Sequence, residues 1–338
     1  MRIPLRLFLP LLLLSTAVFA ASGYRLLKKI QLGGEGGWDY LTFDADSGRL
    51  FISRATHVIV LDTAGGKVVG DIPDTAGVHG IALAPQLGRG FTSNGRADTV
   101  TIFDLKTLVI IGQVKTGQNP DAVVYDPLSK RVFAMNGRSD DATAIDAASG
   151  KVVATVPLGG KPEFAVAGAH GRVYVNIEDK SELVALDTRR LAVQARWPLA
   201  PCEEPTGLAI DFVNHRVFAG CSNKLMAVID AELGKVITTL PIGSGVDATA
   251  FDPGLRYAYA SNGDGTLTVV HEDSPNKFTV VENVATQRGA RTMALDPGTH
   301  QVYLVTADFA LTPPPAPGQP PQRPAILPDT FVVLVIGK

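Results

Sequence analysis

A phrase of about 42 residues returns seven times along this chain, and no other feature limits the fold as strongly. Each copy opens with a short apolar segment closing in Asp-Pro or a variant of it: DYLTFD, HGIALAP, DAVVYDP, EFAVAG, TGLAIDF, DATAFDP and RTMALDP. The copies start at Asp39, His79, Asp121, Glu163, Thr206, Asp247 and Arg291, 40 to 44 residues apart. An aromatic-led segment follows, with Phe51, Phe91, Phe133, Tyr174, Phe218, Tyr259 and Tyr303 at equivalent places, then third and fourth segments such as VIVLD and VVGDIP. Four short strands in a unit of this length is the period of a propeller blade. A solenoid would repeat at shorter intervals and show polar caps. The expected fold is therefore all-β: a seven-bladed β-propeller of four-stranded antiparallel blades.

The two ends of the chain supply one blade between them. After the seventh aromatic segment the chain finishes in TFVVLVIGK, a third strand with no fourth behind it, while LLKKIQLGG near the start matches the fourth-strand phrase. A strand from Leu26 to Leu32 is expected to complete the last blade, which leaves the ring without an open edge. Ahead of it, residues 1–20 (MRIPLRLFLPLLLLSTAVFA) read as a signal peptide: Arg2 and Arg6, an apolar run from Leu7 to Leu14, and a small-x-small site ending at Ala20. The run is shorter than the roughly 20 residues a membrane span needs, and Pro10 interrupts it. The mature chain, residues 21–338, is expected to be a single propeller domain, periplasmic or secreted, with no transmembrane segment after signal removal. With 31 Lys plus Arg against 33 Asp plus Glu, the full sequence has no basic footprint for nucleic acid.

The blade phrase resembles that of the exported YVTN-repeat, YncE-like seven-bladed propellers. The residues that carry the resemblance are FTSNG, VFAMNG and YASNG, then VLDTAGGKVVGDIP, IDAASGKVVATVPLGG and VIDAELGKVITTLPIG. It extends over the whole mature chain and implies the fold; the repeated residues build blades, and propellers host unrelated activities. The first, fourth and seventh blades depart most, with Ser-Arg, Asn-Ile and Val-Thr at the end of the aromatic strand.

Repetition separates structural residues from candidate functional ones. Asp62, Asp104, Asp146, Asp187 and Asp230 each end a third strand, where a short carboxylate can accept the backbone N–H groups that the ladder has released. Gly66, Gly150 and Gly234 give the same turns their backbone freedom. Loops between blades and loops between second and third strands should share one face, and there the residues differ from blade to blade. His170, His215, His300 and His271 fall toward the opposite face, leaving His57 and His79 on the varied one.

That face carries the unequal ring Asp39, His79, Asp121, Glu163, Thr206, Asp247 and Arg291 at the starts of the first strands. Outside it lie Arg54, Arg96, Arg138, Glu178, Asn223, Asp264 and Asp308. The plain reading is the solvated rim of a water-filled channel; the sharper one is a ligand site. On the sharper reading Asp39, His79, Asp121, Glu163, Asp247 and Arg291 form the site, with Arg54, Arg96 and Arg138 as outer contacts. Arginines would grip an anion and the acids would take hydroxyls or a cation. Two carboxylates and an imidazole on consecutive blades can hold a divalent ion, but with no HExxH and no Asp-rich calcium loop the expectation is a ligand site and not a metal centre. No cofactor is indicated. Trp38 and Tyr40 flank Asp39 as a possible apolar wall or as core.

The expected role is non-catalytic binding of a small molecule or protein partner on this face. The alternative is a lactonase-like hydrolase or lyase using a metal or His79 with its carboxylates. Neither Gly-x-Ser-x-Gly nor CxxCH occurs. Cys202 precedes the fifth blade's first strand and Cys221 ends its second, so a disulfide on this face is expected in an exported chain. Residues 313–328, with eight prolines, interrupt the last blade between its second and third strands and form a stiff extended loop.

Overall fold

The computed structural model describes residues 22–311 and 324–338. Residues 1–20, expected to be a signal peptide, lie outside the described residues, as does most of the proline-rich loop. The described chain forms seven four-stranded antiparallel sheets. The first blade is typical: Leu41–Asp44, Arg49–Arg54, His57–Asp62 and Lys67–Ile72, each strand pairing with the next. First strands of neighbouring blades touch one another all the way round, from Leu41–Asp44 through to Met293–Asp296 and back, which closes the circle.

Burial follows from the twofold period of a strand between two neighbours. Second and third strands are packed on both faces and are almost wholly buried, whereas fourth strands such as Ile110–Lys115 alternate between half-buried and exposed. The aromatic that leads each second strand goes between blades. Phe51 meets Phe103 at 5.9 Å between ring centroids, Phe218 stacks on Phe251 at 5.2 Å, and the Tyr174 hydroxyl donates to the Ala231 carbonyl of the next blade at 3.1 Å. Full burial of one such ring stabilises the fold by roughly 2–3 kcal/mol.

The last blade closes as expected. Arg25–Gln31 pairs antiparallel with Val332–Gly337, with Leu26 opposite Ile336 and Ile30 opposite Val333. Tyr24, just ahead of it, locks the seam: its hydroxyl lies 2.7 Å from that of Tyr259 and donates to the His300 carbonyl at 2.8 Å.

The aspartates that end third strands cap turns. Asp104 accepts from the N–H groups of Lys106 and Thr107, Asp187 from those of Arg189 and Arg190, and Asp230 from those of Glu232 and Leu233. Gly66, Gly150 and Gly234 follow with φ of 65°, 70° and 68°. The aspartates that end first strands, most of them followed by proline, are a second set of turn caps, which the repeat displayed without revealing its role. Asp126, Asp211 and Asp252 each accept two turn N–H groups.

Cys202 and Cys221 form the disulfide, with Cα atoms 5.8 Å apart and both residues buried. Trp38 belongs to the core and not to an apolar wall of the site: it packs on Phe331 and Phe309 at 5.3 and 6.1 Å. The described ends of the proline-rich loop meet, since Ala310 N–H donates to the Ala325 carbonyl and Leu327 N–H to that of Asp308, both at 2.8 Å. Among the described residues no helix is long and apolar enough to cross a membrane.

Candidate functional site

The two loop types that vary between blades share one face, and the backbone ties them together. Gly95 N–H donates to Gly77, Gly137 to Asn119 and Gly263 to Gly245, so a second-to-third-strand turn clasps the preceding inter-blade loop in blade after blade. Asn94, Asn136 and Asn262, the asparagines of the repeated SNG-like phrase, brace that turn from inside. Each donates to hydroxyl or carboxylate oxygens of its own third strand: Asn94 to Thr99 and Thr101, Asn136 to Asp141 and Thr143, Asn262 to Thr266 and Thr268.

The preceding serine, or its equivalent, holds the ring residues from below. Ser53 Oγ accepts the Asp39 N–H at 2.9 Å, Ser93 donates to the Asp121 carbonyl, Ser261 donates to the Arg291 carbonyl at 2.5 Å, and Asn176 donates to the Thr206 carbonyl at 2.8 Å. These positioning residues were visible in the sequence only as parts of the repeat. Their role depends on contact between adjacent blades, which the repeat does not display.

On this scaffold side chains of six blades converge. His79 Nδ1 lies 2.5 Å from Asp39 Oδ2 and 3.5 Å from Asp121 Oδ1. Glu163 pairs with Lys161 at 3.1 Å, and Lys161 also contacts Glu178. Asp247 pairs with Arg291 Nε at 3.2 Å. Thr206 stands apart, because its hydroxyl turns down to the Val246 carbonyl at 3.0 Å. Lys161 is a site residue that sequence reasoning missed; it sits immediately before Pro162 and Glu163 at the start of a first strand, next to a position already singled out.

The ring does not rim a water-filled channel. Tyr40 from the first blade and Phe164 from the fourth meet at 4.7 Å between centroids, the Tyr40 hydroxyl reaches the Asp247 carbonyl at 3.4 Å, and Tyr40 is buried. The result is a shallow acidic bowl with an aromatic floor.

Electrostatics within it are those of crowded carboxyls partly removed from water. Burial, only partly offset by His79, raises Asp121 to about 6. Burial and then the Asp121 charge push Glu163 to about 8. Burial likewise lifts Asp247 to about 7 against the pull of Arg291. For His79, burial opposes the charged form, but the hydrogen bond its Nδ1–H donates to Asp39 and the charge of Asp121 outweigh it, and the imidazole rises to about 9.

The outer arginines are not a set. Arg54, expected as an outer contact, is 1% exposed. Its guanidinium donates to the carbonyls of Gly36, Glu35 and Gly33 and lies 3.8 Å over the Phe331 ring. Burial lowers its pKa to about 10. It therefore staples the closing strand's loop to the first blade and is not available to a ligand. Arg96 and Arg138 are exposed on the face, with no side-chain ion pair among the described residues. A cleft of about 570 Å³ lined by Thr56, His57, Asp71 and Pro73 lies outside the bowl and contains none of its residues.

The fold and the bowl define the class: a seven-bladed β-propeller with a scaffold repeated from blade to blade and an asymmetric, acidic loop face. The family model described as outer membrane protein assembly factor BamB matches residues 96–308, more than half of the chain, and the chain belongs to that family. No curated protein matches it. Among solved structures, Kuenenia stuttgartiensis hydrazine synthase is similar with a TM-score of 0.72 at 15% identity, covering 81% of this chain and 94% of that one. A chain of the structure of U3-55K is similar with a TM-score of 0.73 at 8% identity, covering 92% and 98%. At such identities the likeness carries the fold alone.

Proposed function

We propose that this protein is an exported binding propeller of the YVTN-repeat, YncE-like kind, without catalysis, whose bowl receives a cationic side chain of a protein partner. The observation that carries the reading is the convergence of Asp39, Asp121, Glu163 and Asp247 from four blades on one bowl, where among the described residues Lys161, Arg291 and His79 are the basic groups in ion-pair contact with them. An incoming lysine or arginine would relieve the mutual repulsion of the acids, which favours binding in a way turn chemistry would not. The aromatic floor suits the aliphatic stem of either side chain. The family description, that of an assembly factor, favours a protein over a small molecule as the source of the cation. The signal peptide reading supports a periplasmic or secreted location.

The test is fluorescence anisotropy of a labelled hexalysine peptide with residues 21–338, in chelator and at low salt. Saturable binding is expected, absent for hexaglutamate and weakened about tenfold or more in Glu163→Gln/Asp247→Asn, as loss of one or two charge contacts implies. Equal binding by that variant removes the bowl from the reading. The hydrolase or lyase alternative is separated by the same preparation, because it requires turnover of a lactone that His79→Gln abolishes.

A further inference from the structure

We infer that Asp39, His79 and Asp121 form a site for one divalent transition-metal ion, of the zinc or manganese class, in the wall of the bowl. The inference deepens the binding reading, since it places a ligand in the same bowl, but it stands on separate contacts. One atom from each of the three residues lies within 4.8 Å of the others, and the three come from the first, second and third blades. Metal–ligand bonds of about 2.0–2.2 Å require nitrogen and oxygen atoms roughly 3–3.5 Å apart, so the 3.5 Å contact with Asp121 already fits and the 2.5 Å contact with Asp39 needs to open by about half an ångström.

Two of the ligands stand on strands, His79 on Val78–Ala84 and Asp121 on Pro120–Asp126, and Asp39 lies two residues ahead of the strand Leu41–Asp44, where its backbone is pinned. Asp39 is fixed through both its N–H, which donates to Ser53, and its carbonyl, which accepts from Thr292 at 2.8 Å. The His79 carbonyl accepts from Tyr40 N–H at 3.3 Å, and Ser93 holds the Asp121 carbonyl. The far edge of the imidazole is packed as well: a Cβ placed on Gly95 would lie 2.8 Å from His79 Nε2. Nδ1 is therefore the edge turned to the carboxylates. Such support is what a metal site needs to hold its geometry.

Charge pairing points the same way. Lys161 is committed to Glu163 and Glu178, and Arg291 to Asp247. Among the described residues Asp39 and Asp121 have ion-pair contact with the imidazole alone, so two carboxylates share one cationic partner, and Lys161 and Arg291 act on them only from a longer range. The side chains are 16%, 29% and 14% exposed for Asp39, His79 and Asp121, which leaves one side of the site open for a water or an incoming donor. One nitrogen and two carboxylate oxygens with an open position suit zinc or manganese; calcium favours an all-oxygen set of six or more, and copper(I) favours sulfur.

The test uses residues 21–338 stripped by chelator and titrated calorimetrically with zinc, manganese or calcium chloride alone, without peptide. One equivalent of zinc or manganese is expected to bind in preference to calcium. Asp39→Asn/Asp121→Asn should weaken it by about 100-fold or more, while Glu163→Gln/Asp247→Asn changes it less than about threefold. Cobalt(II) should give visible absorption of a four-coordinate site that His79→Gln removes, in a variant whose unfolding stays cooperative. The inference is overturned by no saturable metal up to about 1 mM, by full binding in the Asp39/Asp121 variant, or by equal loss in the Glu163/Asp247 variant. Metal binding with no hexalysine binding upholds this site and removes the proposed function; the reverse result removes this site alone.

Discussion

The ring of Tyr40 lies 4.7 Å from that of Phe164, centroid to centroid, although the first and fourth blades that carry them stand on opposite sides of the propeller. This contact turns an open channel into a bowl. Phe164→Ala should lower stability by about 2–4 kcal/mol, a little under the cost of losing a fully buried aromatic because the ring is half-buried, as read from urea unfolding. Tyr40→Phe should cost far less, because its hydroxyl reaches only the Asp247 carbonyl at 3.4 Å. A shift below about 0.5 kcal/mol for Phe164→Ala would show that the floor does not brace the ring.

Arg54 tests the division between scaffold and site. Its removal orphans three buried carbonyl contacts and a cation–π contact, so Arg54→Met should destabilise the protein by about 2–4 kcal/mol. Hexalysine affinity in the folded variant should stay within about twofold. A variant as stable as the parent would return Arg54 to the list of ligand contacts.

Closure of the ring rests on the pairing of Arg25–Gln31 with Val332–Gly337. Deleting residues 22–32 should expose the apolar Val332–Gly337 strand as a free edge and cause aggregation, measured by light scattering, together with loss of a single unfolding transition. A truncated chain that stays monomeric and melts like the parent would contradict the role of that seam.

The Cys202–Cys221 bridge spans 19 residues. In the chain-entropy account its removal costs about 3 kcal/mol, so Cys202→Ala/Cys221→Ala should unfold at a correspondingly lower urea midpoint. Alkylation of the denatured, unreduced parent should label neither cysteine; two labelled thiols would end this prediction.

Glu272 gives a pH signature away from the bowl. Burial, and then the neighbouring Asp211 carboxyl, raise it from 4.5 to about 7; Asn214 donates to it at 3.3 Å and the positive charge of Arg256 pulls the other way. The native protein keeps a proton that the unfolded chain releases. Stability from this group is therefore complete below about pH 4.5 and is lost as pH rises toward about 7, by up to about 3 kcal/mol. Glu272→Gln should flatten that part of the profile relative to the parent; identical slopes would show that Glu272 does not titrate in this range.

Much of this molecule is written in local sequence. The blade period, the strand that must complete the last blade, the aspartate turn caps and the pairing of two cysteines all follow from alternation, turn chemistry and counting, because each depends on residues a few positions apart or on a repeat that shows itself seven times. The ring positions Asp39, His79 and Asp121 were legible for the same reason, as equivalent positions on consecutive blades. What the tertiary structure decided is where side chains go once blades tilt against one another. Arg54 has the sequence of an outer contact yet turns inward, because the carbonyls of Gly33, Glu35 and Gly36 and the face of Phe331 lie there to receive it. Lys161 joins the bowl, Trp38 leaves it, and Tyr40 meets Phe164 across the axis, since those outcomes depend on distances between blades that no periodicity encodes.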